Sequence, residues 1–281
     1  MANNQNAAKW NMEKVRSTLP RRTSSSHKGT YGTGLLIAGS ARMPGAAMLA
    51  GLGAMRSGVG KLVIGTDPEV MAVIVPRLPE ATYEQNGLGR IAEGKVDLSP
   101  YRAIAVGPGI VPNEQTEKAI DMLLAAEVPT VIDAGALSKR TYNGRKAPTI
   151  LTPHLGEFSR MTDIAIHEIE QNRISLAKLW AHTWQTAIVL KGQDTVIAFP
   201  GGETWINPTG NSALAKGGTG DTLTGMLLGM LCIHDDWKHA VLNAVFLHGA
   251  CADAWVETRS PHTLLAHELT DLLPHVWKRF E

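Results

Sequence analysis

The stretch Asn211-Ser-Ala-Leu-Ala-Lys216-Gly217-Gly218-Thr219-Gly220-Asp221-Thr-Leu-Thr-Gly-Met-Leu-Leu-Gly-Met-Leu231 changes character at its midpoint. Its first half is a glycine-rich loop, Gly217-Gly218-Thr219-Gly220, closed by the carboxylate of Asp221. Its second half places Leu223, Met226, Leu227, Met230 and Leu231 at i, i+3, i+4, i+7 and i+8, the spacing of one buried helical face. A loop without side chains thus delivers its backbone N–H groups to a helix N-terminus. Free amides and the positive end of the helix dipole together make that an anion site. From its own surroundings Asp221 has two readings. It is a helix cap, as Asp often is, or a base aimed at whatever sits beside a bound phosphate.

Upstream, apolar runs alternate with helical segments. Residues 34–40 form a continuous apolar run closed by Gly39-Ser40, as expected of a buried parallel strand. Pro44 fits the first turn of the helix that follows. That helix carries Ala46, Ala47, Ala50, Gly51, Gly53 and Ala54, small residues that let it lie close to a sheet or a ligand. Further strands are predicted over 62–65, 103–107, 130–133, 149–151 and 187–192. Helices are predicted after Pro68, over 114–126 and over 167–184. This alternation implies an α/β fold with a doubly wound, mostly parallel central sheet flanked by helices. Residues 195–199 and 203–206, joined at Pro200-Gly201-Gly202, read instead as a small antiparallel hairpin, and the pattern after residue 217 is helical to the end. Residues 1–33 read as a polar N-terminal arm with a short helix from Met12 to Leu19 that Pro20 ends, and 34–281 as a single domain.

Composition narrows the function classes. The 281 residues are 44% hydrophobic and 19% charged, an ordinary globular balance with ample material for a core. A net charge of +1 gives no general attraction to nucleic acid or an anionic membrane. The short basic cluster Arg21, Arg22 and Lys28 lies among serines and reads as a solvated arm. The two cysteines, Cys232 and Cys251, sit in apolar helical contexts and read as reduced, buried thiols. No apolar run is long enough to span a membrane, and the polar N-terminus lacks a signal-peptide core. A cytoplasmic protein is the expectation.

In an open parallel sheet, ligands bind beyond the carboxyl ends of the strands. Gly39-Ser40, Gly107-Pro108-Gly109, Asp133-Ala134-Gly135, Thr152-Pro153-His154 and Lys191-Gly192-Gln193-Asp194-Thr195 all fall at such ends, on one rim. Each has an ordinary structural alternative. Gly107 and Gly109 are strand-ending turn residues or a place where backbone approaches a ligand. His154 is a turn residue or a ligand contact, and Glu157 a capping group in the first helical turn. Lys191 is an exposed strand terminus or a cationic grip on phosphate, and Asp194 a turn-former. The glycine loop is not a Walker motif, because its Gly-Lys-Ser/Thr ending is missing.

Taken together, these residues resemble a known family. Thr219-Gly220-Asp221, after two glycines at the head of an apolar helix, is similar to the anion-hole signature of ribokinase-like proteins. His27-Lys28-Gly29-Thr30-Tyr31-Gly32, Gly39-Ser40 with Pro44-Gly45-Ala46-Ala47, and Arg56-Ser57-Gly58-Val59-Gly60 narrow the resemblance to the ADP/ATP-dependent NAD(P)H-hydrate dehydratases. Val106-Gly107-Pro108-Gly109, Leu151-Thr152-Pro153-His154-Leu155-Gly156-Glu157-Phe158 and Lys191-Gly192-Gln193-Asp194-Thr195 extend it, in order, from about residue 15 to the C-terminus. Two departures stand out. Asp133-Ala134-Gly135-Ala136-Leu137-Ser138 replaces the family's Asp-Ala-Asp-Ala-Leu-Asn, so this loop is left outside the expected site. Lys216 stands where a small or hydroxyl residue is common.

The resemblance implies repair of NADHX and NADPHX, the forms of NADH and NADPH hydrated at C6 of the nicotinamide ring. It implies ADP as phosphoryl donor, with ATP the alternative, and Mg²⁺ as companion of the phosphates. Asp221 would be the catalytic base, and Gly217, Gly218, Thr219 and Gly220 would cradle the transferred phosphoryl group. Lys191, Gly192, Gln193, Asp194 and Thr195 would hold the nucleotide. Ala46, Ala47, Gly107, Gly109 and His154, with Asp221, would line the hydrate's side. A separately encoded NAD(P)H-hydrate epimerase and a homotetrameric assembly are also implied. Two other readings use the same residues: a ribokinase-like kinase acting on a small alcohol of the thiazole or hydroxymethylpyrimidine type, and a catalytically silent nucleotide-binding scaffold.

Overall fold

Apolar runs buried on both faces become the strands of one central sheet. The computed structural model describes residues 7–281. The polar residues 1–6 of the sequence-predicted arm lie outside the described residues. The strands are β1 (Ala8–Lys9), β2 (Thr33–Ile37), β3 (Lys61–Thr66), β4 (Thr82–Gln85), β5 (Ala103–Val106), β6 (Thr130–Ile132), β7 (Thr149–Leu151), β8 (Ala187–Leu190), β9 (Val196–Ala198) and β10 (Thr204–Ile206). The first helices are α1 (Met12–Thr18), α2 (Pro44–Arg56), α3 (Pro68–Ile74), α4 (Gly87–Ala92), α5 (Glu114–Ala125) and α6 (Leu155–Thr162). They are followed by α7 (Ile166–Gln171), α8 (Arg173–Trp184), α9 (Thr219–Ile233), α10 (Trp237–Val256) and α11 (Glu268–Lys278).

The sheet order is β1-β10-β9-β8-β7-β6-β5-β2-β3-β4. From β8 through β4 every neighbouring pair is parallel. The pairs β8–β9 and β9–β10 are antiparallel, so the predicted hairpin is continuous with the main sheet. Chain order runs outward in one direction from β2 to β4 and in the other from β5 to β8. The reversal between β2 and β5 opens a crevice at their carboxyl ends, where such sheets bind ligands.

Alternate residues feed two cores. Leu36, Ala103 and Ala105 face a layer built with α2, α9, α10 and α11. Leu35, Ile37, Ile104 and Val106 face a layer built with α5, α6 and α8. Both cysteines are free and buried.

Two differences from the sequence reading have clear causes. The N-terminal segment is not simply a solvated arm. Strand β1 pairs in parallel with β10, and Trp10, Val15 and Leu19 are buried in the core. The aromatic ring supplies the burial, and its Nε1 donates to the buried Asn243 Oδ1 at 2.9 Å. Strand β4 and helix α4 went unanticipated because Thr82–Gln85 is polar, an edge strand paired only with β3.

Helix α2 lies directly on α9. A Cβ on Gly53 would come 2.5 Å from the Thr222 carbonyl oxygen, and one on Gly229 2.6 Å from that of Ala54. At Gly225 the Ala50 carbonyl occupies the place a side chain would take. Gly53, Ala50 and Ala54 of α2 are therefore used in close packing on α9, while its N-terminal end lies at the crevice.

Candidate active site

Gly218 adopts φ +92°, the left-handed region that glycine enters without a steric penalty, as N-cap of α9. No side chain caps this helix, so Asp221 sits in its first turn without closing it. The first-turn amides remain directed outward from the N-terminus, with the carboxylate beside them.

Lys191, at the carboxyl end of β8, joins this turn from the sheet side. Its Nζ would lie 3.4 Å from a Cβ on Gly220, against the glycine loop itself. It donates to Asp133 Oδ1 at 2.8 Å and approaches Glu157 Oε2 at 3.8 Å. Asp133 is only 1% exposed. Its Oδ1 also accepts from Thr152 Oγ1 at 2.7 Å, and its Oδ2 from Thr224 Oγ1 at 2.7 Å. Burial opposes ionisation of Asp133, but the Lys191 ammonium and these hydroxyls outweigh it and hold the carboxyl below its ordinary value. Burial likewise works against the Lys191 ammonium; the Asp133 and Glu157 carboxylates outweigh it and raise that group.

Asp221 differs from Asp133 in having no direct cationic partner among the described residues. Burial first, and then the neighbouring Asp133 carboxylate, push its carboxyl up to about 6, with Lys191 only partly offsetting them. Two carboxylates in one site are thus separated in protonation behaviour, the pattern of a structural anion beside a usable base.

His154 is the N-cap of α6. Its Nδ1 accepts from the amides of Gly156 at 3.0 Å and Glu157 at 3.3 Å, while Glu157 Oε2 accepts from the His154 amide at 2.8 Å. This is a reciprocal capping box. It fixes Glu157 next to Lys191 and leaves the His154 ring half exposed.

The remaining rim residues form two groups. Gly39 donates its amide to the Pro108 carbonyl at 2.8 Å across the crevice. A Cβ on Gly109 would meet Ala46 Cβ at 2.8 Å, and one on Gly39 would meet Ala47 Cβ at 2.9 Å. Gly107, at φ +130°, leaves its side-chain space to the Asp133 carbonyl. Ala46, Ala47, Gly107 and Gly109 are therefore one packed floor that abuts Asp133. The buried hydroxyls of Ser40 and Thr66 nearby have no hydrogen-bond partner among the described residues.

The turn after Lys191 is built separately. Gly192 has φ +151° and Asp194 +52°. Arg173 donates to the Leu190 carbonyl at 3.2 Å and to the Gln193 carbonyl, and Thr195 Oγ1 donates to the Gly192 carbonyl at 3.0 Å. Among the described residues no hydrogen bond joins Gln193, Asp194 or Thr195 to residues 217–221. Gly217 faces open space, and Lys216 turns away to donate to the His262 carbonyl at 2.9 Å.

Sequence reasoning missed Asp133, Thr224, Arg173 and His248. Asp133 lies outside the expected site because its loop departs from the family pattern, although a carboxylate closing a buried strand is an available signal. His248 is buried on α10, and its Nε2 lies 2.9 Å from the Thr219 carbonyl. Burial lowers this ring to about 4, so it is neutral and Nε2–H donates.

A family described as NAD(P)H-hydrate dehydratase matches residues 34–275. The ADP-dependent (S)-NAD(P)H-hydrate dehydratase of Bacillus subtilis (strain 168) is 63% identical over 272 residues, 97% of this chain and 98% of that protein. A crystal structure of the Bacillus subtilis ADP/ATP-dependent NAD(P)H-hydrate dehydratase, co-crystallized with ATP/Mg²⁺, matches at a TM-score of 0.96 and 62% identity, over 99% of this chain and 100% of that one. A ribokinase-like superfamily protein from Enterococcus faecalis V583 matches at a TM-score of 0.87 and 25% identity, over 98% and 97% of the two chains.

Proposed function

This chain belongs to the NAD(P)H-hydrate dehydratase family, and we propose that it is an ADP-dependent (S)-NAD(P)H-hydrate dehydratase that restores hydrated NADH and NADPH. One observation carries the chemical side of this reading. A carboxylate raised to about 6 stands in the first turn of an uncapped helix N-terminus, with a largely buried lysine against the same loop.

Hydroxide is a poor leaving group, so the C6 hydroxyl of the hydrate is first converted to a phosphate ester. Asp221 takes the hydroxyl proton as its oxygen attacks the terminal phosphorus of ADP. The new O–P bond forms as the bond to AMP breaks. The amides of Gly217, Gly218, Thr219 and Gly220 stabilise charge on the transferred group. Phosphate then departs with its C–O electron pair, the ring nitrogen's lone pair assists, and proton loss restores the ring double bond. The products are NAD(P)H, AMP and phosphate.

Lys191 to Thr195 hold the nucleotide in this reading, while Ala46, Ala47, Gly107, Gly109 and His154 line the hydrate. Mg²⁺ accompanies the nucleotide phosphates. Among the described residues no cluster of three His, Cys, Asp or Glu side chains is placed to hold a metal. An ion of this kind keeps several waters and is held mainly by the substrate phosphates.

The reading includes a cytoplasmic homotetramer that works beside a separately encoded epimerase. Among the described residues no helix is long and apolar enough to cross a membrane. Exposed apolar side chains, including Met43, Val73 and Leu179, supply material for subunit contacts. Sedimentation at working concentration tests the assembly. For the activity, the protein is incubated with hydrated NADH and ADP while absorbance of the reduced nicotinamide is followed. Recovery with release of AMP and phosphate is expected. A stable phosphoester without recovery would instead identify a small-alcohol kinase, and no turnover a silent scaffold.

A further inference from the structure

We propose that Asp133 is the positioning residue of this site: its buried carboxylate holds the Lys191 ammonium against the glycine loop and supplies the negative charge that Asp221 faces. The proposal rests on the dehydratase reading above, with Asp221 as base.

The geometry singles out Asp133 among the carboxylates. Three donors immobilise it, from three different elements: Lys191 after β8, Thr152 after β7 and Thr224 within α9. Thr224 lies one turn beyond Asp221, so Asp133 ties the helix that carries the base to the strand end that carries the lysine. Glu157 cannot take its place. Its Oε2 is committed to the His154 amide at 2.8 Å and stands 3.8 Å from Lys191.

Energetics argue the same way. A buried ion pair seldom adds stability over apolar packing, because desolvation offsets the attraction. Asp133 and Lys191 have 2% and 20% of their side-chain surface exposed. Such a pair is better explained by the direction it gives the ammonium, toward Gly220.

The charges around Asp221 are few. Asp133, Lys191 and Glu157 face it from the sheet side and from α6. His248 contributes a neutral ring from α10. Strands β2 and β5 present none, and α2 has only Arg56, at its far end. From α11, the Glu268 carboxylate is engaged with the Leu265 amide, and His267 precedes that helix. Removing the Asp133 charge therefore removes a large like-charge influence on Asp221.

The experiment compares kcat/KM against pH, with ADP and hydrated NADH, for the wild type, D133N and D133E. For D133N the acidic limb is expected to move down by about one pH unit. Its plateau should fall on the order of 100-fold, as expected for a misplaced binding group. D133E keeps the charge but displaces it by a methylene. Its limb should stay near that of the wild type while its plateau falls, and this variant decides the matter should D133N fail to fold. Coincident limbs for the wild type and folded D133N, or a wild-type plateau for D133E, overturn the proposal. A wild type without turnover overturns the dehydratase reading instead, so the two failures are distinguishable.

Discussion

Because burial and Asp133 raise the Asp221 carboxyl from 3.8 to about 6, its ionised form at neutral pH is held at the expense of folding. The sign follows from linkage. A carboxyl raised in the folded state contributes its full stability below the unfolded value and loses it as pH rises through the folded one. Asp221→Asn should therefore be more stable than the wild type above pH 6, by roughly 1–3 kcal/mol, and equal to it below about pH 4. Urea titrations at the two ends of that window check this. The same variant should lose on the order of 100- to 10,000-fold in turnover while still binding ADP, as calorimetry would show. Retained turnover would remove Asp221 from catalysis. The alternatives read from the sequence for this residue have narrowed: no side chain caps α9, so the cap role is not the one it plays. Its neighbour Asp133 is legible as a carboxylate closing a buried strand, but its three partners lie distant in sequence, and those are not legible. Alternating apolar runs showed where the strand ended, but not that a lysine 58 positions away would meet it there.

At the scale of elements, the stack of α2 on α9 makes Gly225 and Gly229 intolerant of any side chain. Gly225→Ala would drive a methyl into the Ala50 carbonyl. Overpacking of this kind costs about 1–3 kcal/mol. The larger effect should be functional, since α2 carries Ala46 and Ala47 into the crevice. Denaturation midpoints and KM for the hydrate, both measured on this variant, should worsen together. The turn after β8 is a second such device. Arg173→Met removes the donors to the Leu190 and Gln193 carbonyls and is expected to raise KM for ADP more than it lowers kcat. An unchanged KM would detach this turn from nucleotide binding. The central strands and most helices were legible because burial on both faces leaves unbroken apolar runs. The edge strand β4 was not, since a polar tetrapeptide carries no such signal. Nor did periodicity separate α7 from α8, which break at Asn172 within one continuous helical pattern.

For the molecule as a whole, two buried histidines set the acid limit. Burial lowers both His234 and His248 from 6.5 to about 4. A depressed histidine contributes stability that is present above its unfolded value and lost as pH falls toward the folded one. Between pH 6.5 and 4 each should withdraw up to about 3 kcal/mol, partly offset by Asp221, which moves the opposite way. The midpoint of urea unfolding should therefore decline across that window, and less steeply in His234→Gln. A sheet closed at one margin by so short a strand has a consequence for handling the protein. With β1 absent, β10 would present unpaired backbone groups beside the half-buried indole of Trp205, a template on which a second chain can add a strand. Trp10→Ala, which loosens the anchor of β1, should therefore show itself first as concentration-dependent aggregation, visible by light scattering well below the unfolding midpoint. The N-terminal residues guard the sheet against its own copies.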